Sequence, residues 1–279
     1  MSRYFIFIVA ICLLTAKKGW AQTKNAKQNT DSTFVLVRSY TGDILDAAMD
    51  NLDNLYIVSS SGQVKKYDAN GDSAGIYSQT RNFGKLFSID VTNPLQPLLF
   101  YKDFSTVVLL DRFLTNRATI DLRRHQILQP GAAASSYDNK IWIFDEYDNK
   151  LKKIDEQGNK LLETPDFRSV FNEAVRPQKI INDNGLVFLT DTAHGIYIFD
   201  NYGSFKKRLP FTNWQSIAVR ENYIIQTLNN GMSVYNSANL MEVKKMFPSS
   251  FQPYLHSFYT GSKLVTYSKD SLAVYRFTF

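Results

Sequence analysis

LVFLTDTAHGIYIFDNYGSFKKR, residues Leu186 to Arg208, reads as an apolar strand ending in Asp, a short polar turn, a second apolar strand ending in Asp, and a turn containing glycine. The same unit returns as NLYIVSSSGQVKKYDANGD from Asn54 to Asp72 and as KIWIFDEYDNKLKKIDEQGNK from Lys140 to Lys160. Weaker copies, each two short strands around a turn, run from Leu98 to Asp111, Tyr223 to Tyr235 and Lys263 to Tyr275. The units recur every 40 residues or so, a period of about 40–45 residues being that of four-stranded propeller blades.

Each unit is preceded by a strand of small and apolar residues: Asp46 to Met49, Leu86 to Val91, Ala132 to Ser135, Gln178 to Ile181, Gln215 to Val219 and Leu255 to Tyr259. These suit the innermost strands, where blades crowd an axis and small side chains fit the taper. The last unit stops after three strands, and the β-rich run from Thr33 to Tyr40 has no partner of its own. Joining the two closes a ring and removes exposed edges. The fold expected is all-β, a six-bladed β-propeller of four-stranded blades in which the N-terminal strand completes the last blade. The terminal VYRFTF alternation also resembles the closing strand of an outer-membrane barrel, but barrel strands are about ten residues long and these are shorter. Helical signals are confined to a turn or two near Phe167 to Ala174 and Arg112 to Asn116.

The unit around Leu186 resembles the NHL repeat, with Asp191, Ile196, Ile198, Phe199, Asp200, Gly203 and Phe205 in the places of its pattern. Val64, Tyr67, Asp68 and Gly71 carry its later half in one further unit, and Leu151, Ile154, Asp155 and Gly158 in another. The stretch from Gly84 to Arg124 departs most and lacks the glycine turn. The resemblance implies a propeller and no particular activity, since such propellers include scaffolds, ligand binders and a minority of enzymes.

The chain opens with Arg3, an apolar run from Tyr4 to Ala16, and Gly19, Trp20 and Ala21, the pattern of an export signal over residues 1–21. Residues 22–32 read as a flexible segment and 33–279 as one propeller domain, exported to the periplasm, the outer envelope or beyond. Removing the signal takes Arg3, Lys17 and Lys18 and leaves 29 basic against 26 acidic residues, an ordinary solvated balance with no basic segment for nucleic acid. Cys12, the only cysteine, leaves as well, so neither disulfide nor thiol nucleophile is expected. After cleavage no transmembrane segment is expected, and the mature chain is expected to be a monomer.

GDSAG, Gly71 to Gly75, matches a nucleophile elbow but lacks the following helix and α/β setting it needs, so Ser73 reads as a turn serine. Asp68, Asn70 and Asp72 open like a calcium loop, yet Gln79 stands where the bidentate Glu should be, and an Asx turn fits better. His125, His194 and His256 are far apart. No catalytic residue, metal ligand or cofactor is expected. Glutamines recur before the innermost strands at Gln129, Gln178, Gln215 and Gln252, accompanied by Arg81, Arg176, Tyr254 and His256. At one channel mouth these eight would offer amides, cations and aromatic surface to a protein, peptide or glycan; the plainer reading is that Gln and Pro shape connecting loops. The function expected is non-enzymatic binding or scaffolding. The alternative, a propeller hydrolase, lactonase or lyase, needs a charged cluster in the channel, for which Asp90 and His256 are the inner-strand candidates.

Overall fold

The structure, a computed structural model, describes residues 34–78, 82–248, 251 and 256–277. The expected export signal and the segment 22–32 lie outside these residues. Within them run 24 strands, from β1 (Phe34–Thr41) to β24 (Ser271–Phe277), in six four-stranded antiparallel sheets. Five sheets are consecutive meanders; the sixth has the order β1-β24-β23-β22. The chain is a six-bladed β-propeller whose first strand completes its last blade, paired from Phe34 opposite Phe277 to Thr41 opposite Ser271.

Packing follows from this closure. Each blade is a sheet with two apolar faces, and each face is buried against a neighbour, giving six separate cores. Tyr56, Leu99 and Val108 fill the one between blades 1 and 2, and Trp142, Phe144 and Val187 the one between blades 3 and 4. Met49, Ile57, Val265 and Leu272 fill the joint between blades 6 and 1, so no seam is left open. Further staples lie where the innermost strands end. Asp90 Oδ2 accepts from Ser135 N at 2.7 Å, Asn182 Oδ1 from Tyr137 N at 2.8 Å, and Asp183 Oδ2 from Glu221 N at 2.7 Å, each across a blade boundary.

The innermost strands are β2 (Asp46–Met49), β6 (Ser88–Asp90), β10 (Pro130–Ser135), β14 (Lys179–Asp183), β18 (Ser216–Arg220) and β22 (His256–Tyr259), each within two residues of expectation at either end. The expected helical turn near Phe167 is a five-residue helix, Phe167–Phe171, capped by Asp166. Arg112 to Asn116 is not helical: it runs through the turn between the third and fourth strands of blade 2 into the first residue of the fourth. There Asp111 accepts from Phe113 N and Thr115 N, as Asp68, Asp155 and Asp200 do in their own blades. This repeated Asx turn is what Asp68 and Asp72 serve, and its N–H donors, Asp72 N foremost, hold the Asp68 carboxyl below its ordinary pKa. Blade 2 lacks the glycine because Leu114, at φ 65°, takes the left-handed position and puts its side chain into the core. Ser73 opens the outer strand of blade 1, Ser73–Tyr77.

Candidate functional site

In a four-stranded meander, the link entering the innermost strand and the turn between the second and third strands fall at the same end. In the ring they make one loop face, and the channel opens through it. Two buried aspartates tie these loops together. Asp145, 0% exposed, accepts from Leu128 N and Gln129 N at 3.2 and 3.0 Å, and from the Lys152 ammonium at 2.7 Å. Asp191 does the same for Arg176 N at 2.9 Å and holds His194 Nδ1 at 3.0 Å. Burial would raise the Asp191 pKa, but these donors outweigh it and the group sits below its ordinary value.

Between blades 2 and 3 the loop face exposes large apolar groups around a polar pair. Lys102 lies 5.2 Å from the Phe87 ring and 3.0 Å from Glu146, and Gln129 Nε2 donates to Glu146 Oε2 at 3.3 Å. Phe87, Phe104, Leu128 and Tyr147 stand out around them at 45, 53, 49 and 63% exposure. On blade 4, Glu173 takes Arg208 at 2.6 Å and the Tyr197 hydroxyl at 2.5 Å, with His194 Nε2 at 3.8 Å. These groups satisfy one another, and none of them lines the channel.

The channel holds a cavity of about 320 Å³. Its wall carries Asp46, Asp90, Lys179, Arg220 and His256, more charge than the Asp90 and His256 of the sequence reading. Asp46 Oδ1 accepts from the Tyr267 hydroxyl and from Ala47 N, both at 2.8 Å, and Tyr267 stacks on His256 with ring centroids 5.1 Å apart. Arg220 Nε donates to Thr260 O at 3.2 Å. Lys179 is open to channel water but walled by protein all round. That loss of bulk solvation lowers its ammonium pKa, against the opposite pull of the Asp90 and Asp46 carboxylates.

Of the eight residues proposed for the mouth, Gln178, Gln215 and His256 line this cavity. The Gln178 amide is used by the loops, donating to Arg176 O and accepting from Thr192 N at 2.9 and 2.8 Å. Gln129 turns to Glu146 instead, and Arg176 is not among the lining residues. Arg81, Gln252 and Tyr254 lie outside the described residues. Lys179 and Asp46 escaped the sequence reading, although each is a charge at the head of an innermost strand. Among the described residues, no group of three or more His, Cys, Asp or Glu is placed to hold a metal, and no helix is long and apolar enough to cross a membrane.

Fold and channel together define a six-bladed propeller with a charged axial cavity. No family model and no curated protein matches the chain. Solved structures do. It is similar to the WD40 domain of Neurospora crassa Pan2, with a TM-score of 0.62 at 12% identity over 88% of this chain and 96% of that one. It is similar to a Bacteroides fragilis protein assigned as exported, with 0.58 at 9% over 91% and 98%. A streptogramin B lyase gives 0.56 at 13% over 83% and 78%. At these identities the likeness is one of fold.

Proposed function

We propose that this chain is an exported, monomeric binding propeller without enzymatic activity, built on NHL-like repeats, which recognises a protein, peptide or glycan through its loop face. The observation that carries this reading is the patch of Phe87, Phe104, Leu128 and Tyr147 around the Lys102–Glu146 pair. Exposed aromatic and aliphatic groups framing a few fixed polar ones have the composition of a recognition surface rather than of ordinary solvent-facing loop. Gln129, within the patch, and Gln178, Gln215 and His256, at the mouth beside it, would extend the contact towards the axis, with Arg176 at its rim. The signal-like segment 1–21 supplies the export, which agrees with a fold shared by a protein assigned as exported.

The test is binding of the purified chain to arrays of envelope peptides and glycans, comparing Phe104→Ala/Tyr147→Ala with Tyr137→Ala/Tyr202→Ala on the opposite face. Aromatic anchors are worth about 2 kcal/mol or more each, about 30-fold, so losing both should weaken binding by about 1,000-fold while the second pair leaves it unchanged. Equal binding by both pairs refutes the loop-face assignment. Stoichiometric bound metal, together with a melt that falls on chelation, would turn the reading towards a hydrolase, lactonase or lyase acting in the channel.

A further inference from the structure

Most charged groups in this propeller are used by the fold. Asp90, Asp145, Asp183 and Asp191 accept backbone N–H groups, Lys152 and Lys153 meet carboxylates at 2.7 Å, and Lys66 donates to Arg112 O at 2.9 Å. The channel holds two exceptions. Among the described residues, the Lys179 ammonium has neither a hydrogen bond nor an ion pair. Among the described residues, Asp46 spends only one oxygen, Oδ1, on Tyr267 and Ala47, and Oδ2 is without a partner.

Lys179 also stands out against its counterparts. It pairs with Thr190 on the next strand, and the residues paired with Thr227 and Thr266 in blades 5 and 6 are Ser216 and Ser257. A small residue suffices at this place, so the taper does not call for a lysine. Lys179 and Asp46 are opposite charges in one cavity, and they do not close on each other as an ion pair.

We propose that the channel binds a free α-amino acid, with the ligand carboxylate on Lys179 Nζ and its ammonium on Asp46 Oδ2. A zwitterion supplies both missing partners at once, whereas a simple anion leaves Asp46 unmet and faces the Asp90 carboxylate, and a simple cation faces Lys179. The cavity of about 320 Å³ lies at the small end of the range for small-molecule sites, which suits a ligand of this size. Gln215 and the stacked pair of His256 and Tyr267 line the same space for the side chain. This inference does not rest on the loop-face reading, since Phe104→Ala/Tyr147→Ala leaves Lys179 and Asp46 in place.

The experiment is calorimetric titration of the purified chain with the L- and D-forms of alanine, serine, glutamine and phenylalanine, and with glycine. N-acetylalanine and alaninamide, each lacking one charge, are the controls. At least one amino acid should bind, and Lys179→Met, Asp46→Asn, acetylation and amidation should each weaken it about 10- to 100-fold, the worth of a charged hydrogen bond. Asp46→Asn keeps Oδ1 as an acceptor for Tyr267 and Ala47 but takes the charge from that cluster, so its melt is recorded; if it fails to fold, Lys179→Met and the two analogues decide. No binding across the panel, binding unchanged in Lys179→Met, or equal binding of N-acetylalanine or alaninamide overturns the proposal.

Discussion

Phe34→Ala probes the seam on which the ring depends. Strand β1 reaches its blade from the far end of the chain, and its one sheet partner is β24. Phe34 is 8% exposed, and its ring centroid lies 4.7 Å from that of Phe277, 5.3 Å from Phe251 and 6.2 Å from Phe247. Truncating a buried Phe to Ala costs about 3–5 kcal/mol, and each kcal/mol moves the melting temperature of a domain of this size by about 2–4 °C. The expected loss is therefore about 6–20 °C. The matched control is Phe188→Ala, 3% exposed in the joint between blades 4 and 5. Both variants should melt early, but hydrogen exchange should separate them: Phe34→Ala should open the amides of β1 and β24 below the global unfolding free energy, and Phe188→Ala should not. Identical exchange of β1 and β24 in the two variants would refute the view that closure is held at this seam.

Two further outcomes follow from buried polar groups. Lys152→Met strands Asp145, since the ammonium lies 2.7 Å from both Asp145 and Asp148; a loss of about 3–5 kcal/mol in urea unfolding is expected, and a loss under about 0.5 kcal/mol would show that the pair is not holding the blade. Tyr56, Tyr101, Tyr197 and Tyr267 are buried, and burial raises each phenol above its ordinary pKa. The unfolded chain thus loses these protons first, so their contribution is complete below about pH 10 and shrinks above it by about 1.4 kcal/mol per phenol per pH unit. Melts from neutral to alkaline pH should show a first tyrosinate rise from exposed tyrosines such as Tyr137, Tyr147 and Tyr202 and a second that coincides with unfolding; complete tyrosinate absorbance in the folded chain near pH 10 would contradict this.

Architecture was legible because it is written locally and then repeated. The Asp-x-x-Gly turns at Asp68, Asp155 and Asp200 mark the same corner of three blades, and the unpaired run at Thr33 to Tyr40 announced the closure. Blade 2 was faint because its left-handed turn residue is Leu114, chosen for the core rather than for backbone freedom. The site was less legible. Glutamines recur near the mouth, but recurrence marks any position that every blade needs, and the Gln178 amide is engaged in tying one loop to the next.

That distinction separates scaffold from site in a repeat protein. A residue that every blade repeats is answering a demand every blade makes, and its polar atoms are consumed locally, as with the Asx turns and the loop-tying aspartates. A binding residue has the opposite signature: it breaks the repeat, and its polar atoms remain unmet. Lys179 stands where blades 5 and 6 have serine, and its ammonium has no partner among the described residues. Asp46 is part-way between, one oxygen held by Tyr267 and the other left to the channel. The first half of this signature is readable in an aligned set of repeats. The second needs the ring, because only closure brings the first blade and the fourth to the same axis.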